Sequence, residues 1–179
     1  MMSESRAVPQ GSQDAFKAAN TLVLASGTLA ETATLAGVIA EALTPGDVVL
    51  LDGPLAAGKT TFVTSLCRAL DCAEQPSSPT YAISNIYTCP RFEVFHIDAY
   101  RLSGVDEFYN LGIEEFFPDS VALIEWGERV AEAFVDPLRI AISFEDAESE
   151  GRVYTFASTG KRWQGLMAQL RARWPDAGV

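Results

Sequence analysis

Apolar residues recur along this chain in blocks that switch between the period of a strand and the period of a helix. Leu22 to Ala25 reads as a short strand, and Ala30 to Leu43 carries Leu35, Val38, Ile39, Ala42 and Leu43 at helical spacing until Pro45 and Gly46 stop it. Asp47 to Asp52 is a second strand, followed by a helix from Lys59 to Leu70 with Phe62, Val63, Leu66 and Leu70 on one face. Tyr81 to Tyr87 and Phe92 to Ile97 are β-prone and flank a turn at Thr88 to Arg91, which predicts a hairpin beside a parallel sheet. Val105 to Phe117 predicts one or two short helices broken at Gly112, and Val121 to Ile124 is a wholly apolar strand. Arg139 to Phe144 and Arg152 to Ala157 form a late hairpin around the acidic turn Glu145 to Gly151. The last helix runs from Lys161 to Arg173, with Trp163, Leu166, Met167 and Leu170 on one stripe, expected to pack on the core with docking to a partner as the alternative, and Pro175 just past its end. This alternation predicts an α/β fold with a mixed sheet and flanking helices.

Between the second strand and its helix stands GPLAAGKT, Gly53 to Thr60, which is the G-x-x-x-x-G-K-[ST] phosphate loop in the strand-to-helix setting that its physics requires. Gly53 and Gly58 let the backbone turn inward so that successive amides face phosphate oxygens, and Ala56 and Ala57 add little bulk. Lys59 would set its ammonium against the β- and γ-phosphates, and the Thr60 hydroxyl would ligate Mg2+. Thr61 and the first-turn amides add donors at the positive end of the helix dipole. The fold is therefore expected to be P-loop NTPase-like.

Composition narrows the picture. The 179 residues suit one domain, expected at residues 21–179 after a polar tail, Met1 to Asn20, expected to be disordered. With 24 acids against 13 basic residues the chain would repel a nucleic-acid backbone, so any RNA contact is expected to run through partners. No stretch approaches the roughly 20 apolar residues of a membrane span, and a soluble, cytoplasmic protein is expected. Cys67, Cys72 and Cys89 form no C-x-x-C pair and are expected to be reduced, partly buried thiols.

A phosphate loop needs an acidic partner for magnesium or water. Asp98 ends the run Phe95-His96-Ile97-Asp98, and Glu125 ends Val121-Ala122-Leu123-Ile124-Glu125. Asp98 is assigned to the metal, directly or through water, and Glu125 to the metal or to the attacking water, although either acid could instead cap a helix or pair with an arginine such as Arg101. Thr80, in Ser78-Pro79-Thr80-Tyr81, stands where a γ-phosphate-sensing loop would lie, and a plain turn fits that segment equally well. His96 is the only histidine, which excludes a multi-histidine metal site and leaves a structural hydrogen-bonding role as its expected one. Trp126 could cover a nucleotide or a partner, or be buried in the core.

Taken in order, the phosphate loop, Ser78-Pro79-Thr80-Tyr81, His96-Ile97-Asp98-Ala99-Tyr100-Arg101 and Ile124-Glu125-Trp126 resemble the bacterial TsaE (YjeE) family over roughly Gly27 to Phe144. The resemblance implies a small P-loop ATPase that binds ATP and Mg2+ and works with TsaD and TsaB proteins to form threonylcarbamoyladenosine beside the anticodon of tRNA. It implies that Lys59 and Thr60 bind phosphate and metal, that Asp98 and Glu125 serve metal and hydrolysis, and that Thr80 lies in a switch-like loop. It also implies that Thr32 lies near the nucleotide base. The family commonly carries glycine where this chain has Ala56. Alanine is acceptable there with negative φ, whereas a left-handed backbone would cost about 1 kcal/mol or more.

Two other readings share the loop. A small-molecule kinase would need a cationic lid, and between Thr80 and Trp126 only Arg91 and Arg101 are basic. A nucleotide-gated binding module without turnover would differ only in what Asp98 and Glu125 do.

Overall fold

In chain order the elements are β1 (Asn20–Ser26), α1 (Leu29–Ala42), β2 (Val48–Asp52), α2 (Lys59–Ala69), β3 (Ser84–Thr88), β4 (Glu93–Asp98), α3 (Val105–Tyr109), β5 (Ser120–Glu125), β6 (Leu138–Phe144), β7 (Arg152–Ser158) and α4 (Gln164–Arg173). The computed structural model describes residues 20–77 and 83–178. The expected tail lies outside them, except Asn20, which opens β1.

All strands join one seven-stranded sheet in the order β1-β7-β6-β2-β5-β4-β3. Its middle is parallel, with β2 paired to β5 and β6, and β4 paired to β5. Both margins are antiparallel, through β3 with β4 on one side and β7 with β6 and β1 on the other. This is the mixed α/β sheet expected from the sequence. β2 and β5 are buried at every residue, which is why they read as unbroken apolar runs rather than alternating ones.

Alternation along each strand divides the core into two layers. Val49, Leu51, Val94 and Leu123 face α1, α2 and α4 and pack with Phe62 and Trp163. Leu50, Ile97 and Ile124 face the opposite side, where α3 and short 3₁₀ turns supply Leu102, Phe108 and Phe117. The segment expected as broken helices is α3 followed by a 3₁₀ turn at Glu114–Asp119, and Gly112 between them has φ 64°.

Side chains secure both ends of α1. Thr28 Oγ1 accepts from Glu31 N at 3.2 Å, while Glu31 Oε2 accepts from Gly27 N at 2.6 Å, a reciprocal N-terminal cap. At the other end Arg91 donates to Ala40 O at 2.6 Å and Leu43 O at 3.2 Å, placing a cation at the negative helix terminus.

The cysteines correct one expectation. Cys72 and Cys89 form a disulfide with an S–S distance of 1.97 Å, and only Cys67 is a free thiol among the described residues. The pairing follows from the exit of α2: Asp71 adopts φ 55°, and Ala73 N donates to Thr88 O at 2.8 Å, which lays the chain against the β3–β4 turn. Burial pushes the Cys67 thiol up to about 12, with Glu74 adding to the shift, so it remains protonated and unreactive.

The α4 stripe is buried as the sequence predicts, with Trp163, Met167 and Leu170 fully inaccessible. Trp163 also donates from Nε1 to Asp136 O at 2.9 Å. Trp163→Ala is expected to cost about 3 to 5 kcal/mol, measured as a drop in the urea midpoint.

Candidate active site

The loop after β2 runs so close to β6 that only glycine fits at its first position. A Cβ on Gly53 would stand 2.2 Å from Ile142 O, and Gly53 has φ 141°. Ala57 N then bonds back to Pro54 O at 3.1 Å, and Gly58, with φ 103°, turns the chain into α2. The first α-helical bond after this turn runs from Phe62 N to Gly58 O, so the amides of Lys59, Thr60 and Thr61 precede it at the positive end of the helix. Arg152, lying over the Phe144 ring, donates from Nε to Ala57 O at 2.9 Å and braces the loop from the β6–β7 hairpin.

Ala56 has φ 64°, the left-handed region, and its side chain is exposed. The methyl group therefore meets the steric cost that glycine at this position avoids. Ala56→Gly is expected to stabilise the fold by up to about 1 kcal/mol. For a chain of this length that is a rise in Tm of about 2 to 4 °C, measurable by calorimetry.

Lys59 is 5% exposed, and its Nζ donates to Gly53 O at 2.7 Å and Pro54 O at 3.0 Å. The same ammonium sits 4.1 Å from the centre of the Trp126 ring. Burial draws Lys59 below the usual lysine range, while the carboxylates of Glu125 and Asp52 work in the opposite direction. A cation held this way, by neutral carbonyls and a ring face, has much to gain from an arriving anion.

Across the loop, the parallel register of β4 and β5 sets Asp98 opposite Glu125. Both acids lie on the sheet face that carries α2, because each follows its strand's Val94 or Leu123 by an even number of residues. Glu125 is buried, and its Oε1 accepts from Thr60 Oγ1 at 2.8 Å. Asp98 is half-buried, and its Oδ1 caps the following 3₁₀ turn by accepting from Tyr100 N at 2.9 Å. The capping role weighed from sequence is thus present, together with exposure to the cleft. Gly58, Lys59, Thr60, Asp98, Glu125 and Trp126 are among the residues lining that cleft, which encloses about 400 Å³.

The corner after β5 is tightly fixed. Trp126 has φ 58°, is half-buried rather than a core residue, and meets the exposed Tyr100 ring at a tilt, with centroids 5.1 Å apart. Gly127 packs on Leu50, where a Cβ would come within 2.5 Å of the Leu50 Cβ. Glu128 N donates to Asp52 Oδ1 at 2.7 Å, so the last residue of β2 holds the chain leaving β5. Burial raises the Asp52 carboxyl above its usual range, and the Glu128 amide and Arg139 partly offset this.

Thr32 is buried on α1, 3.0 Å from Ser26 Oγ and 3.1 Å from Tyr154 OH, and does not line the cleft. Thr80 lies outside the described residues. His96, expected to be structural, is completely buried with Nε2 2.8 Å from Glu125 Oε1. The signal for that contact was the strand period: two residues before Asp98, His96 lies on the same sheet face.

Known proteins resemble this chain in sequence and fold. The profile of the family described as "Threonylcarbamoyl adenosine biosynthesis protein TsaE" matches residues 26–154. A protein of that designation from Rickettsia conorii is 36% identical over 133 residues, covering 73% of this chain and 75% of the relative. One from Bacillus subtilis is 34% identical over 141 residues, covering 78% and 87% respectively. The crystal structure of Bacillus subtilis YdiB superposes with a TM-score of 0.69 at 29% identity, covering 87% of this chain and 97% of that one.

Proposed function

Because this chain belongs to the TsaE family, we propose that it is a magnesium-dependent ATP hydrolase that supports N6-threonylcarbamoyladenosine formation at position 37 of tRNA. It acts in the cytoplasm with TsaD- and TsaB-like proteins, and its tRNA contact runs through them. The observation that carries the catalytic part is the 2.8 Å bond from Thr60 on the phosphate-loop helix to Glu125 at the mouth of β5. It joins the loop's hydroxyl to a buried acid beside the one cationic residue among those that line the cleft, Lys59.

The donor set fits the cofactors. Hydroxyl and carboxylate oxygens from Thr60, Asp98 and Glu125 are hard ligands of the kind Mg2+ takes, and the loop amides with Lys59 suit a polyphosphate. Bound magnesium would neutralise charge on the β- and γ-phosphate oxygens. Lys59 leaves its carbonyl partners for the phosphates and spreads the negative charge that develops as the terminal phosphoryl departs. Glu125 keeps the Thr60 hydrogen, which turns the hydroxyl lone pairs outward, and its second oxygen orients the attacking water. Asp98 serves the metal shell, and Trp126 covers the site beside Lys59.

Among the described residues no second cation lines the cleft, which argues against a kinase, since a transferring phosphoryl group needs a cationic shield. Arg91, one of the two arginines considered for that task, is committed to the end of α1.

Lys59→Ala is expected to weaken ATP binding roughly 10- to 100-fold by calorimetry, the value of a charge-assisted contact. Its phosphate release, slow in the isolated parent and faster with TsaD and TsaB proteins, should fall to background. Parent-like affinity in the variant would remove the reading, and equal parent rates with and without those proteins would remove the activation by partners.

A further inference from the structure

Glu125 does not hold its own orientation. Its Oε1 receives two hydrogen bonds, from Thr60 Oγ1 and from His96 Nε2, each 2.8 Å long. A carboxylate oxygen offers about two lone-pair directions, so Oε1 is fully engaged and Oε2 is the oxygen left to act in the cleft. The carboxylate supplies no proton, so Nε2 of His96 must carry the hydrogen. On the far side of the ring, Nδ1 lies 3.0 Å from the Tyr87 hydroxyl. Tyr87 is 4% exposed and His96 0%, so both partners are held away from water. The Tyr87 hydroxyl accepts from Asn85 Nδ2 at 3.4 Å, and its one hydrogen has two acceptors in reach, His96 Nδ1 at 3.0 Å and Ser77 O at 3.3 Å, of which Nδ1 is the nearer. Antiparallel pairing of β3 with β4, Asn85 opposite His96 and Tyr87 opposite Val94, sets the phenol alongside the imidazole.

We propose that His96, its Nε2–H directed at the Glu125 carboxylate and its ring held by Tyr87, is a positioning residue that selects which oxygen of Glu125 faces the metal and the attacking water. The proposal rests on the ATP hydrolase reading. Its role is geometric: no proton is transferred along the row, and His96 does not touch the nucleotide. Without the imidazole, Oε1 would lose one of its two anchors and Glu125 could rotate about its terminal torsion, presenting either oxygen and loosening its hold on Thr60. The phosphate-binding half of the site, built from the loop amides and Lys59, would be left intact. A partner that merely orients a ligand of a metal typically accounts for 10- to 100-fold in metal affinity or activity.

The test separates these halves. Affinity for ATP is measured by calorimetry in EDTA and again with Mg2+, and kcat by phosphate release, for the parent, His96→Phe, His96→Gln and Tyr87→Phe. His96→Phe keeps a buried ring of similar size but no donor; its EDTA affinity should stay within about twofold of the parent, while the gain in affinity on adding Mg2+ and kcat fall about 10-fold or more. His96→Gln, which retains an N–H that reaches Glu125, should recover part of both, and Tyr87→Phe should show a smaller loss in the same two quantities. Parent-like magnesium dependence and kcat in His96→Phe would overturn the proposal. So would an equal loss of affinity in EDTA and in Mg2+ in both His96→Phe and Tyr87→Phe, the mark of a purely structural pair. If the parent binds Mg2+ with ATP yet releases no phosphate, the hydrolase reading fails, and the magnesium-dependent affinities still decide the role of His96.

Discussion

The parallel register of three strands is the constraint on which this protein's chemistry depends. Leu51 of β2 pairs with Glu125 of β5, and Glu125 pairs with Asp98 of β4, so three neighbouring strands reach one edge together. β2 continues from that edge into the phosphate loop, which is held against β6 at Gly53. A slip of one residue in β5 would send Glu125 to the opposite face of the sheet and leave Thr60 without its acid. The register is secured because both faces are buried: Leu123 would exchange places with Ile124, and each fits its own layer.

Around this edge the structure spends its buried polar groups sparingly. Asp52, Lys59, His96 and Glu125 are buried and hydrogen-bonded, Lys59 to its own loop and the other three to distant parts of the chain. Asp52 fastens the exit of β5, Arg152 fastens the loop, and His96 fastens Glu125. Apart from Lys59, whose carbonyl partners would have to give way to a ligand, groups fastened in this manner need little reorganisation when charge develops nearby.

Much of this was legible in the residues alone. The phosphate loop is a local motif whose strand and helix adjoin it, and Glu125 announces itself as an acid ending a wholly apolar strand. The helix-periodic segments matched their elements because a long amphipathic stripe leaves little ambiguity. What escaped depends on contacts between distant segments or on backbone angles. The contact of His96 with Glu125 spans two strands, and its partner Tyr87 comes from a third. The Cys72–Cys89 bond depends on a left-handed turn at Asp71 that residue type does not announce. Ala56 is similar: alanine favours negative φ, and only the path from Gly53 to Gly58 imposes the positive one.

The placement of Trp126 gives the molecule an optical property of its own. Its indole lies 4.1 Å from the Lys59 ammonium and against Tyr100, at the rim of the cleft. Trp163 is sealed in the core on the helical side, and Trp174 is partly buried against the same core, neither of them lining the cleft. Drawing the ammonium off the ring changes the local field at one tryptophan and leaves the other two as an internal standard. Intrinsic emission would thus report any ligand that takes the ammonium, without a dye or a label.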